Sequence, residues 1–420
     1  MSLSNITLSS SVRQNLLSLQ STAELLSTTQ TRLATGKKVN SALDNPTNFF
    51  TASGLDARAS DIGNLLDSIG NGVQVLQAAN TGITSLSKLV DTAKSIANQA
   101  LQQPSGYSTK ASAAFDGAGA GAGTTTASDI NAGKIGGSVF TFNTSAGTGA
   151  TITVGATAVA YNSTSKTATV KSLDDLNQAL SAAGVNVTAS ITAAQEITFT
   201  STNDGGSQKI TQATTATAPG SIAANTLEIS VAAAQSTAGT LVTAPIADSV
   251  SQTARSSLVA QYNQIIQQIK TTAQDSSFNG VNLLNGDTLK LVFNETGKST
   301  STITGVTFNP NGLGLGSATV GTDFIDNTAT NKVLTALNTA STTLRSQASA
   351  FGANLSIVQI RQDFSKNLIN VLQTGSSNLT LADSNEEAAN SQALSTRQSI
   401  AVSALALANQ SNQSVLQLLR

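Results

Sequence analysis

Cysteine, histidine and tryptophan are absent from this chain, and Met1 is its only sulfur-bearing residue. No thiolate nucleophile, imidazole base or soft metal ligand is therefore available, and disulfides are impossible. Neither is there an excess of charge of one sign. Lys and Arg total 22 against 23 Asp and Glu, which excludes the basic surplus that binds nucleic acid or anionic membranes. No apolar run approaches the length that spans a bilayer, so no membrane insertion is expected. Residues 1–20 lack the basic start, apolar stretch and small-residue cleavage site of a secretory signal. The expectation is a cytoplasmic protein or one exported without a cleaved signal.

What is present is helical spacing at both ends. Val12, Leu16, Leu19, Ala23, Leu26 and Leu33 recur at alternating intervals of four and three, with polar Gln30 in the series. That is the seam of a helix that packs lengthwise on another. Gly36 supplies a stop, and Asn45-Pro46 predicts a departure from helical geometry before the next rod. The spacing resumes at Leu55, Ala59, Ile62, Leu66, Ile69, Val73, Leu76 and Ile83, then drifts through a predicted stutter at Leu86, Val90, Ala93 and Ala97 until Pro104. A helix from about 48 to 102 is roughly 80 Å long. Further rods are expected along Val250, Ala254, Leu258, Tyr262, Ile265 and Ile269, and along Val333, Leu337, Ala340, Leu344, Phe351, Val358, Leu368 and Leu372. After Thr374-Gly375, a last helix is predicted over about 383–419. All five prolines are expected outside the helices.

Between Pro104 and Pro245 the composition turns to Gly, Ala, Ser and Thr. Strands are predicted at 138–143, 150–154, 167–170, 185–191 and 196–202, with one amphipathic helix at 172–183 that carries Asp174 and Asp175 in its first turn. A Gly-Ala linker is read at 117–123 and a short β-rich stretch at 289–308. The fold class is α+β: both chain ends form an elongated antiparallel coiled-coil bundle, and a β-rich domain is inserted.

Motifs with chemical associations reduce to structural ones. Gly297-Lys298-Ser299 resembles the tail of a phosphate loop, but the glycine required five positions earlier is Val292, which leaves a polar turn. Asn203-Asp204-Gly205-Gly206 lacks the distal carboxylate of a calcium loop and reads as a tight turn. Asp174-Asp175 and Glu386-Glu387 are adjacent in sequence, so their carboxylates diverge on a helix; helix-start charge and a solvated face are the expected roles. No catalytic, cofactor or metal residues are assigned.

The C-terminal helix is the unusual element, because Arg397 is the only charged residue from Ala388 to Leu419. Each heptad buries about two seam residues worth roughly 1.5–3 kcal/mol each, against about 1–2 kcal/mol of backbone ordering per residue. No aromatic residue occurs in 1–48 or 365–420 to add to this. That balance favours packing in a many-subunit tube over burial in a single-chain bundle, the other reading of so uncharged a helix.

Both ends resemble bacterial flagellin. The segment Leu33-Ala34-Thr35-Gly36-Lys37-Lys38-Val39-Asn40-Ser41-Ala42-Leu43-Asp44 matches the family's N-terminal signature. Phe278-Asn279-Gly280-Val281-Asn282-Leu283-Leu284 matches a second motif. Ala408-Asn409-Gln410 together with Ser414-Val415-Leu416-Gln417-Leu418-Leu419-Arg420 matches a third. The resemblance covers about 1–103 and 249–420. It implies a secreted, non-enzymatic subunit of a homo-oligomeric helical filament, without cofactor, exported by the flagellar secretion apparatus. It further implies an export chaperone on the C-terminal segment and contact with filament cap and hook-associated proteins.

By that resemblance, 1–40 and 378–420 pair as inner-tube helices, while 41–103 and 249–377 form outer-tube rods, with β structure at 285–325. Residues 104–248 form a surface-exposed variable insertion, within which 151–205 resembles a repeat module of filament and hook-associated proteins. The expected assembly seam is Val12, Leu16, Leu19, Ala23, Leu26 and Leu33 with Leu394, Ala401, Leu405, Ala408, Val415, Leu416 and Leu419. In well-known members the variable region follows the Phe-Asn-Gly motif, whereas here the insertion precedes it. A hook–filament junction protein is the alternative in the same class; a coiled-coil surface adhesin or carbohydrate-active insert is the alternative from another.

Overall fold

A computed structural model describes residues 10–104, 106–116, 123–213, 221–231 and 242–418, so most of the predicted 117–123 linker lies outside the described residues. Helix α1 (Ser10–Thr35) ends where Gly36 adopts φ +68°, a left-handed conformation that favours glycine. The Asn40–Asp44 part of the signature then builds a turn. The Asp44 carboxylate accepts from the backbone N–H of Asn40 (2.9 Å) and Ser41 (2.8 Å), while the Asn40 side chain donates to the Lys37 carbonyl (2.9 Å).

Pro46 does not stand outside the helices. It is the first residue of α2 (Pro46–Gln102), where its missing N–H costs nothing, and the Asn45 side chain caps the turn by accepting from Asn48 N (3.0 Å). Along α2 every seventh residue from Ile62 through Ile69, Leu76, Ile83 and Val90 to Ala97 is buried. The predicted stutter is a change of the flanking position after Leu76, from four residues on (Leu66, Val73) to three (Ala79, Leu86, Ala93).

The central region contains two principal sheets. Strands β3 (Val139–Thr144), β4 (Gly147–Val154), β5 (Val159–Asn162), β6 (Thr167–Val170), β9 (Lys209–Ala213) and β10 (Thr226–Val231) form one, ordered β5-β6-β4-β3-β10-β9. Strands β2 (Ser112–Phe115), β7 (Val187–Ile191), β8 (Ile197–Ser201) and β11 (Val242–Thr243) form the other, ordered β11-β2-β8-β7. Their shared core includes Phe115, Phe140, Phe142 and Phe199, packed edge to face at centroid distances of 5.2–5.6 Å. Helix α3 (Leu173–Ala182) starts with a capping box, the Ser172 side chain accepting from Asp175 N while Asp175 accepts from Ser172 N.

A short ribbon closes the base of this region. Strands β1 (Tyr107–Thr109) and β12 (Ile246–Ala247) pair antiparallel, with Tyr107 opposite Ala247 and Thr109 opposite Ile246. Helix α4 (Ser249–Asp275) follows, capped by Asp248. Its first turns bury Ser251 and Arg255 rather than the predicted Val250 and Ala254; Val250 is 75% exposed. Arg255 is drawn inward by backbone carbonyls. Its guanidinium donates to those of Phe324 (2.8 Å), Pro104 (3.2 Å) and Gln103 (3.3 Å).

The Phe-Asn-Gly motif ends α4. Asn279 (φ 50°) and Gly280 (φ 79°) form a tight turn closed by reciprocal backbone bonds between Phe278 and Val281. Asn282 donates to the Ala273 (2.8 Å) and Gln274 (2.9 Å) carbonyls and so satisfies the helix end. Strands β13 (Thr288–Val292) and β14 (Thr300–Thr304) form a hairpin, and Gly297-Lys298-Ser299 lies in its turn.

Helix α5 (Asn327–Thr380) buries Leu337, Leu344, Phe351, Val358, Ser365 and Leu372 at seven-residue intervals. Gly375 does not break it. The helix runs on through it, and the chain turns only at 381–383, where Asp383 caps α6 (Ser384–Leu418) through Asn385 N (2.9 Å). Among the described residues, no helix is long and apolar enough to cross a membrane.

The caps set a pH dependence. The Asp44, Asp175 and Asp248 carboxyls are held below their ordinary 3.8, the first two chiefly by backbone N–H donors and the third by the Ser251 hydroxyl. Burial pushes the Tyr262 hydroxyl from 10.0 up to about 12. Depressed carboxylates stabilise the fold above their unfolded value and lose that contribution as pH falls through the folded one. A raised phenol stabilises below its unfolded value and loses the contribution as pH rises. With no histidine to titrate between, thermal melts should give a Tm that is flat from about pH 5 to 9 and falls on either side.

Candidate functional site

The described chain forms two compact units. One comprises residues 1–74, 289–303 and 354–420; the other comprises 75–288 and 304–353. The first is the smaller, yet it carries fourteen of the nineteen large hydrophobic side chains that are exposed among the described residues. Exposed apolar side chains concentrated in one unit in this way mark an interaction surface.

Within that unit α1 and α6 pack side by side and antiparallel, Arg32 lying by Glu387 and Lys37 bridging Leu381. The two chain turns are bonded to each other. Lys38 N donates to the Thr380 carbonyl (2.7 Å) and Ala382 N to that of Gly36 (3.0 Å). Just beyond, the Arg32 guanidinium meets the Glu387 carboxylate at 3.3 Å. Glu387 is thus buried in an ion pair rather than lying on the expected solvated face, because the helix pairing carries it against α1; Glu386 remains exposed.

The predicted seam divides. Val12 is buried and Leu19 and Leu26 are half-buried, joined by Asn15, Thr22 and Thr29 at intervals of three and four. Leu16, Ala23 and Leu33 face outward together with Leu17 (66% exposed) and Leu25 (51%). On α6, Leu394, Ala401, Leu405 and Ala408 are half-buried with Ser391 and Gln398 in one heptad line, while Ile400, Val402 and Leu407 are exposed. Val415 and Leu416 continue the helix, and Leu419 lies outside the described residues. The in-chain seam is therefore partly polar, and much of the apolar surface is left over.

Many of the outward hydroxyls are already satisfied. On α1, Thr28, Thr31 and Thr35 donate to the carbonyls of Glu24, Ser27 and Thr31 at 2.8–3.0 Å. On α6, Thr396, Ser399 and Ser403 do the same to Gln392, Ser395 and Ser399 at 2.9–3.1 Å. Such side chains enter a dry contact without stranding a donor. Sequence reading missed this, since Ser and Thr count there as polar; their position inside predicted helices, where the carbonyl four residues earlier can accept a second bond, was the available signal.

The second α5 face in this unit shows the same pattern, with Ile357, Ile360, Phe364 and Val371 exposed at helical spacing, 52–67% each. No group of three His, Cys, Asp or Glu suited to a metal occurs among the described residues.

Comparison with known proteins places these helices. The pattern for the bacterial flagellin N-terminal helical region matches residues 5–116, and that for the bacterial flagellin C-terminal helical region matches 334–419. The chain is similar to flagellin FljM of Caulobacter vibrioides, 33% identical over 165 residues that cover 39% of this chain and 59% of that protein. It is 32% identical to flagellin FljO of the same organism over 174 residues (41% and 62%). A flagellin of Brucella melitensis is 30% identical over 170 residues (38% and 60%). The matched part thus spans about three-fifths of each of these relatives.

Proposed function

We propose that this chain is a bacterial flagellin, a structural subunit that polymerises into the flagellar filament for motility, rather than an enzyme. The exposed apolar and self-satisfied hydroxyl surface of α1 and α6 carries this reading. A lone antiparallel pair leaves Leu17, Leu25, Ile400 and Leu407 in water, whereas a tube of such pairs buries them. In this reading 1–40 and 378–420 form the inner tube and the rods at 41–103 and 249–377 the outer one, with the predicted seam residues from Val12 to Leu419 divided between contacts within and between subunits. Export through the flagellar secretion apparatus, a chaperone on the C-terminal segment, and contact with cap and hook-associated proteins belong to the same reading. Salt-induced assembly of purified protein, viewed by electron microscopy, tests it: long filaments are expected, and a protein that stays monomeric would refute it.

The central region, about 104–248, then projects from the filament surface and is dispensable for assembly. Its two ends are adjacent, Asp248 N donating to the Gly106 carbonyl at 2.9 Å and Thr109 pairing with Ile246. Replacing residues 110–245 by Asn-Gly closes the β1–β12 ribbon with a two-residue hairpin turn and keeps the carbonyls that Arg255 holds. This variant should retain its helical circular dichroism and form thinner filaments in negative stain. Failure to polymerise with helicity intact would place obligatory subunit contacts in the insertion.

A further inference from the structure

Four Asn-Gly pairs occur in the chain, at 71–72, 279–280, 285–286 and 311–312. At such a pair the glycine's backbone nitrogen can attack the side-chain carbonyl carbon of the asparagine, because no β-carbon shields the approach. The new carbon–nitrogen bond closes a five-membered imide, and the side-chain amide leaves as ammonia, taking the proton of the attacking N–H. Water then opens the imide to aspartate or to β-linked isoaspartate.

Which pair reacts depends on what holds it. Asn71-Gly72 lies inside α2, where the Gly72 N–H belongs to the helix ladder. Gly312 N donates to Asn309 Oδ1 (2.8 Å), inside a loop closed by a further bond from Leu315 N to the Pro310 carbonyl (2.7 Å). Asn285 is bridged to Thr307, and bonds from Phe308 N to the Leu284 carbonyl and from Gly305 N to that of Asp287, 2.8 Å each, flank the bridge. Asn279-Gly280 is held by less. Both residues are exposed, and among the described residues the Gly280 N–H meets no acceptor and the Asn279 side chain no partner. Cyclisation requires the Asn279 backbone to swing out of its left-handed conformation (φ 50°), and the two 3.0 Å bonds between Phe278 and Val281 are an isolated bridge with no ladder on either side. Opening of so small a unit belongs to the low end of local stability.

We infer that Asn279 is a site of spontaneous modification, which converts with time to aspartate and isoaspartate in the Phe-Asn-Gly turn. The β-linkage adds a methylene to the main chain between residues 279 and 280, so the reciprocal Phe278–Val281 bonds lose their register. It also displaces Asn282, whose amide closes the end of α4. The new carboxylate stands just past the negative end of that helix, an unfavourable place for its charge. A chain that is made once and not replaced therefore accumulates a weakened joint after α4.

The test ages full-length monomer at mildly alkaline pH and follows its tryptic peptides by mass spectrometry, with fragmentation locating each changed residue and its linkage. Asn279 should convert at least about tenfold faster than Asn71, Asn285 or Asn311, and the difference should collapse in urea, where nothing holds any of the four. Aged protein should melt below the Asn279→Asp variant, which carries the same charge without the extra methylene. An Asn279 that stays intact, faster conversion at another pair, or a difference that persists in urea would overturn the assignment of the site. Aged protein that melts like Asn279→Asp would overturn the weakened joint.

Discussion

Replacing Arg255 by Met should destabilise the second unit by about 3–5 kcal/mol, because three backbone carbonyls lose their buried donors at once. Arg255 is 1% exposed, and its fork reaches Gln103 and Pro104, where the chain leaves α2, and Phe324, just before α5. Methionine fills the stem's volume but supplies no hydrogen, so the carbonyls remain desolvated and unpaired. Burial lowers the guanidinium's proton affinity, while the nearby Asp326 and Tyr107 act in the opposite direction. Arg255→Lys should recover only part of the loss, since one ammonium cannot span the same acceptors. Urea unfolding of the monomer followed by circular dichroism measures the change. A shift below about 1 kcal/mol would show that water reaches these carbonyls when the arginine is gone.

Leu25→Asp combined with Leu407→Asp should shift the monomer's melting only slightly and abolish polymerisation. Both side chains are largely exposed in the single chain, at 51% and 69%, so folding loses little burial there. In a filament, each substitution removes roughly 2–3 kcal/mol of apolar burial and adds a buried charge, which raises the critical concentration by at least about a hundredfold per site. Sedimentation of assembled material measures this. Normal assembly would show that these outward faces are not buried between subunits, and the filament interface would then have to be sought elsewhere on the first unit.

Much of the helical framework is written as spacing. The lines Ile62 to Ala97 and Leu337 to Leu372 are visible in the sequence because a side chain buried against another helix must recur at about the helical period. Strands with alternating patterns were legible too; β6 and β8 lie within a residue or two of their expected bounds. Strand β10 was missed because all six of its residues, including Glu228 and Ser230, are buried, which removes the alternation that marks a half-exposed strand. Short β1, β11 and β12 carry too few residues for any period.

The start of α4 shows the limit of reading by hydrophobicity. Val250 was favoured over Arg255 as an inward residue, but the carbonyls that reward a buried guanidinium come from residues 103, 104 and 324, far away in the chain. Glu387 is similar, since its partner Arg32 lies 355 positions away.

By itself the sequence determined the class of chemistry excluded, the periods of the helices and the positions of the signature turns, because composition, spacing and φ preference are local properties. Only the tertiary structure decided which stripe of α1 faces α6, where α5 gives way to α6, and which polar groups are enclosed. Those outcomes depend on which surfaces meet, and a helix with two candidate apolar stripes does not specify its partner until both helices are in place.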